Sequence, residues 1–450
     1  MKPRIKFKME DLMIPLFLLY CFYSYGLAPY FTWETFAGGT FNNCFGIPLR
    51  SIIAAIIVVI GLTNVVKGKL SKKSVHMCIW CMFTMAISII QSGIDHIFSF
   101  EWLIYLVLCV FLLIEDSGKI KAYRYFYNIF VFSLIAPIII YILVHIGVNV
   151  PYIIINAPEE IKTINSVSYK IYPLAAQWYN PYADAYRSLR LCGIYNECGV
   201  VGTYSALLLS IEGYRLKGNW KNIVLLIGGI LSFSLAFYFL TICYFIVRAI
   251  DINWKYMVPL IIIVVIYIIF VNVHFANEAL TKFQNRFLIT DYVLNGDNRT
   301  SPGYDRIYEN FIHEGGRKLL FGNGLNEIED ILVSKNIDGS SYKNLIFDYG
   351  IFGFFNQIIW IVVYFIYRKI GSTRKEKIYI AACCFVFIAN MYQRPSMFAL
   401  QFLLPLIGGI IYQLHYRPQI YKSGEYSGGG KPPFRENGNR KSSARKPLVR

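Results

Sequence analysis

Charge is scarce in this chain. Only 16% of its 450 residues are Asp, Glu, Lys or Arg and six are histidine, while 56% are apolar. Soluble proteins carry nearer ~25% charged residues, so a soluble enzyme with a single membrane anchor is excluded. The strict apolar–polar alternation that membrane β-barrel strands need is missing as well. There is no Walker-type loop, no Gly-x-Gly-x-x-Gly between a strand and a helix, and no His-Glu-x-x-His; Gly322-Asn323-Gly324 is a turn. Neither a nucleotide nor zinc is expected, and the reading calls for no cofactor and no metal. Also missing is an internal repeat of the kind that builds two matching transporter halves. The ten cysteines do not form a secreted disulfide framework, because Cys21, Cys78, Cys81, Cys109, Cys243, Cys383 and Cys384 lie in apolar runs, as small core residues do. Cys78 and Cys81 make a Cys-x-x-Cys without a second ligand pair. Cys192 and Cys198 fall near an expected outer membrane surface and could bridge.

What the chain has is long apolar runs, such as Ile52–Val66 and Val258–Val271, repeated along most of its length. These predict an all-α, polytopic bundle of about twelve transmembrane helices. The spans fall near 11–30, 47–66, 74–92, 99–115, 125–149, 193–212, 222–233, 235–248, 256–273, 346–367, 378–393 and 397–416. The first follows basic Met1–Lys8 and is long enough to cross rather than serve as a cleaved signal peptide. Segment 222–248 reads either as one long helix or as two short ones, and charge decides between them. With two, 30 of the 44 basic residues fall on one side, mostly in short segments. A single helix would break that asymmetry. Positive loops stay cytoplasmic, so both termini are expected inside. The same rule explains the net charge of +17 without a nucleic-acid partner.

Two outer segments are long, 150–192 and 274–345, within a membrane domain covering 1–416. Loops of this length usually have a task. Both are studded with aromatics, among them Tyr152, Tyr169, Trp178, Tyr182 and Tyr186 in the first and Phe283, Tyr292, Tyr304, Tyr308 and Phe311 in the second. Such loops should fold back on the membrane surface, their rings either anchoring at the interface or stacking on sugars. Residues 417–450, rich in Gly, Ser, Lys and Arg, read as a disordered cytoplasmic tail near anionic lipid.

Charges near a membrane boundary need a reason. Arg187, Arg190, Gly193 and Glu197 close the first long loop. If that stretch is helical, Arg190 and Glu197 share one face, with Gly193 admitting a ligand or backbone between them. The plainer alternative is a structural Arg–Glu pair. In the second loop, Asp305, Arg306, Glu309 and His313 fall at helical spacing. Most such faces are merely solvated, but the aromatics around Arg306 predict partial burial, and His313 is either a general base or a surface histidine. Lys343, Asn344 and Asp348 open the tenth span, and Arg394 tips a short turn. Guanidinium forks grip phosphate oxygens, and an apolar groove suits a lipid chain. Stabilising a departing diphosphate and deprotonating a hydroxyl are what sugar transfer from a lipid carrier requires.

At these residues the chain resembles the bacterial O-antigen and capsular polysaccharide polymerase family, which is related to the O-antigen ligases. The resemblance runs from about 125 to 416. It rests on Arg190-x-x-Gly193-x-x-x-Glu197, a short helical hairpin, a large outer loop with Arg306, a Phe321-Gly322-x-Gly324 turn, and Asn344 followed by Gly350. It implies a glycosyltransferase C-like fold in the bacterial inner membrane, with the active site facing the periplasm. It also implies inverting, metal-independent transfer between undecaprenyl-diphosphate-linked oligosaccharides. The expected partners are that carrier, membrane lipid, and a chain-length regulator and flippase of the same pathway. Arg187, Arg190, Arg306 and Arg394 would bind the diphosphate, and Gly193, Lys343 and Asn344 other parts of the substrate. Glu197, then Asp348 or His313, would be catalytic. Ligases carry His where this chain has Lys343, and Asn where it has Glu197, which favours polymerase. A ligase and a lipid-linked oligosaccharide flippase remain the alternatives.

Overall fold

In a computed structural model the described residues are 9–24, 27–32, 47–67, 71–92, 101–156, 168–179, 189–251, 254–290, 293–294, 299, 301–324, 327–335, 337, 339–395 and 398–416. Arg187, Tyr182, Tyr186, Tyr292 and the tail 417–450 lie outside them.

The apolar runs form helices α1 (Met9–Phe22), α2 (Ile47–Lys67), α3 (Lys72–Ser92), α4 (Glu101–Leu113) and α5 (Asp116–His145). After a small sheet come α6 (Cys198–Ile211), α7 (Trp220–Leu231), α8 (Leu235–Ala249) and α9 (Trp254–Asn272). The second long loop folds as α10 (Glu278–Asn285), α11 (Pro302–Glu314), α12 (Gly316–Phe321) and α13 (Glu327–Ser334). Helices α14 (Tyr342–Tyr367), α15 (Arg374–Ala389) and α16 (Leu400–Ile411) complete the bundle. Each of the twelve apolar segments thus carries a helix. Among the described residues, α5, α9 and α14 are long and apolar enough to cross a membrane. The 222–248 stretch divides into α7 and α8 at Ser232–Ser234, where Phe233 takes a positive φ of 46°.

All fourteen residues of α6 and all twelve of α16 are buried. Helix α6 packs against α7, α8, α15 and α16, and α16 packs on α5, so these two form the centre. Helix α9 buries none of its residues; it touches α8 and α10 and leaves its apolar surface outward, as lipid contact allows. At the C-terminal end of α6, the buried Glu212 accepts from Tyr123 (2.7 Å) and Gln413 (2.6 Å). Those donors answer a carboxylate that the helix dipole disfavours there.

The first long loop departs from an all-helical expectation. Strands β1 (Ile153–Asn156), β2 (Ser168–Tyr172) and β3 (Ala175–Tyr179) make an antiparallel sheet in the order β1-β2-β3. Their β-branched and aromatic residues favour strands. Pro173 and Leu174 join β2 to β3, Leu174 at φ 63°, the arrangement of a type II turn. Tyr169 and Ile171 are buried on one face with Tyr30 and Ala176. The second loop is helical around its own core of Tyr304, Phe311, Ile328, Leu332 and Phe347.

Helix α14 breaks at Gly350 (φ 68°, ψ 175°). Residues 322–324 press into the break. Asn323 N–H donates to Phe347 O at 2.9 Å and Gly324 N–H to Asp348 O at 3.2 Å, satisfying carbonyls the kink releases. A Cβ on Gly322 would lie 2.1 Å from Asp348 O, and one on Gly350 would lie 2.4 Å from Leu320 C. The Phe-Gly-x-Gly turn and the glycine of the following span therefore meet, backbone against backbone.

Candidate anion site

The site forms at the N-terminal end of α6, where four loops converge. Residues 190–197 are not helical, contrary to the expectation that Arg190 and Glu197 share a helix face. Helix α6 starts only at Cys198, because the preceding backbone is committed elsewhere. Gly193 O accepts from Ala176 N (2.7 Å) and Ile194 O from Tyr30 N (2.8 Å). Asn196 O accepts from Tyr169 Oη (2.7 Å) and Trp178 Nε1 (2.9 Å). Gly193, at φ 70°, takes a conformation a side chain would strain. A Cβ there would press on the side chains of Tyr195 and Val201 at 3.3 Å, so its small size serves packing and not the admission of a ligand.

Glu197 immediately precedes α6, where a carboxylate complements the helix dipole. Its Oε2 lies 2.5 Å from Nη2 of Arg394, with the two side chains 20% and 13% exposed. Arg394 comes from the turn between α15 and α16, and its backbone N–H donates to Asn390 O at 2.8 Å. Arg190 stacks over Trp178 (5.7 Å to the ring centroid), and its Nε donates to Ser232 O at 3.3 Å. The α7–α8 turn is thus part of the site's wall.

Arg299 is the fourth contribution. Its backbone carbonyl accepts from Ser340 N at 2.8 Å, which fastens it to the entry of α14. Burial, together with the positive charges of Arg394, Arg286 and Arg190, lowers its guanidinium to about 10 against an opposing pull from Glu197. Arg299 thus shares an electrostatic neighbourhood with three further arginines and with Glu197. Arg286 did not stand out in the sequence, and Arg299 did so only as one member of the charged cluster of the second long loop. Arg286 ends a short helix and Arg299 lies in a turn, so no periodicity marks them.

The other expected residues stand apart. Lys343 Nζ pairs with Asp305 Oδ1 at 2.6 Å, beside the Tyr308 ring at 5.1 Å. Asn344 Oδ1 accepts from Ser341 N (3.2 Å) and Tyr304 Oη (2.5 Å), closing the capping box of α14. Both are thus engaged within the helical cap that the second long loop forms over the start of α14. Asp348 is buried, and its Oδ1 accepts from Ile328 N at 3.3 Å in the first turn of α13. Arg306 is exposed, contrary to the burial expected from its aromatic neighbours. Those rings turn the other way, Tyr304 and Phe311 into the cap's core. His313 is also exposed, eight residues beyond Asp305 and thus ~12 Å further along α11. Tyr342 and Tyr392 stack at 5.9 Å, bringing the start of α14 beside the Arg394 turn.

Guanidiniums brought close to one another repel. Such an arrangement suits a multivalent oxyanion, whose oxygens accept several charge-assisted hydrogen bonds at once. No protein-family model, no curated protein and no solved structure matches the chain.

Proposed function

We propose that this protein lengthens a bacterial surface polysaccharide by joining undecaprenyl-diphosphate-linked repeat units at the periplasmic face of the inner membrane. In this reading all twelve bundle helices cross the bilayer, with both termini in the cytoplasm. Helices as short as α7, twelve residues and ~18 Å long, cross together with non-helical ends buried in protein.

The observation that carries the reading is that Arg190, Arg286, Arg394 and Glu197 all act on Arg299, with Arg394 paired to Glu197. A hydroxyl oxygen of the acceptor unit bonds to the anomeric carbon of the donor sugar. The bond from that carbon to the diphosphate breaks, and the electron pair leaves with the diphosphate. The guanidiniums stabilise the charge that builds on the departing oxygens. The hydroxyl proton passes to a base, and Glu197 is the carboxylate at hand. Sugars stack on tyrosine faces, and the Tyr342–Tyr392 pair lies beside the arginines.

The test is deletion of the gene followed by sizing of the glycan. Single repeat units on the final acceptor are the expected outcome. Long chains stranded on the carrier would indicate a ligase, and units trapped on the cytoplasmic face a flippase; either overturns the proposal. Complementation with Arg299→Ala should lower chain lengthening by about 10²–10³-fold, the usual loss for one charge-stabilising donor. Arg299→Lys should recover part of it at equal protein level.

A further inference from the structure

We infer that Cys192 and Cys198 form a disulfide that fixes the Arg190–Glu197 loop in its site geometry. The inference shares with the proposed function only the outward orientation of this loop. Here sulfur meets sulfur, with Cys192 Sγ and Cys198 Sγ 2.7 Å apart and both residues buried. The chain between them is shaped for this encounter. Gly193 turns at φ 70° and Tyr195 N–H donates back to Cys192 O at 3.2 Å, which curls the six-residue separation into a closed bend.

The bridge would enclose Glu197 and begin two residues after Arg190, so it would hold the carboxylate and one guanidinium in register. A closed loop limits the conformations available to the unfolded chain and to local opening alike. Bond formation removes both thiol protons and joins the two sulfurs. The two electrons and two protons pass to the disulfide of an extracytoplasmic Cys-x-x-Cys oxidase, which leaves as a dithiol. Strand β3 covers the loop through Ala176 and Trp178. Oxidation must therefore precede docking of the sheet, and the finished bond is shielded from reductant.

The test uses the full-length protein in membranes from its bacterial host, quenched in acid and unfolded in detergent. Free thiols are blocked with light N-ethylmaleimide, then the sample is reduced and treated with the heavy reagent. Trypsin releases Leu191–Arg215, in which Cys192 and Cys198 are the only cysteines. The expected result is heavy label on both, with light label on Cys243. Light label on both overturns the inference, whatever the glycan phenotype. In Cys192→Ser, Cys198 should take light label, which shows that denaturation exposes it. The purified wild type should unfold at a lower temperature after denaturing reduction and refolding, a shift missing from the Cys192→Ser/Cys198→Ser double variant. An equal shift in the double variant would also overturn it.

Discussion

Arg299 shows what bringing these charges together costs. A base whose folded pKa is depressed to about 10 is charged in both folded and unfolded protein at neutral pH, so the folded state bears the full penalty there. The penalty fades only as pH climbs through about 10, where the folded form releases its proton before the unfolded form does. A bound oxyanion relieves the same repulsion at neutral pH. A short-chain prenyl diphosphate should therefore raise the unfolding temperature of detergent-solubilised protein. The stabilisation grows with ligand, reaching ~2.7 kcal/mol at a hundredfold excess over Kd. In Arg299→Gln the ligand effect should shrink while the ligand-free protein is not destabilised. Equal stabilisation of both proteins by the diphosphate would remove Arg299 from the site.

At the scale of elements, the most constrained contact is that between Gly322 and Gly350. Both hold positive φ, and at both a side chain would collide with backbone rather than with a movable neighbour. Gly322→Ala and Gly350→Ala should each destabilise by at least ~2 kcal/mol. The double variant should lose less than the sum, since the first substitution already separates the two segments. Thermal unfolding in detergent measures both, and additive losses would argue against a shared contact. Both glycines were visible in the sequence as separate short motifs, but their meeting was not, because a contact across 28 residues has no local signature. The twelve apolar segments were legible from hydrophobic run length, and the α7–α8 break from the placement of Lys and Arg. The strands within 153–179 carry β-branched and aromatic residues that favour a sheet, but tyrosines and tryptophans near a membrane also serve as anchors, so composition did not separate the two. Of the arginines, Arg190 and Arg394 drew notice as charges at a boundary. Arg286 and Arg299 reach the same place through tertiary folding of the outer cap, which sequence spacing does not encode.

For the molecule as a whole, the placement of the arginine site depends on which way the bundle faces. Asn310 on α11 and Lys217 between α6 and α7 are both exposed and lie on opposite sides in the proposed topology. In intact cells whose outer membrane is permeable to the probe, Asn310→Cys should react with an impermeant maleimide. Lys217→Cys should react only after the inner membrane is opened. The reverse pattern would place the arginines in the cytosol and end the proposed function. The glycine contact also bears on how such a molecule moves. Because residues 322–324 are hydrogen-bonded into the break of α14, the outer cap and the first two turns of that helix are riveted into one piece. If the proposed function holds, a lipid-borne sugar would have to reach Glu197 past the α7–α8 turn or through movement of the riveted piece as a whole.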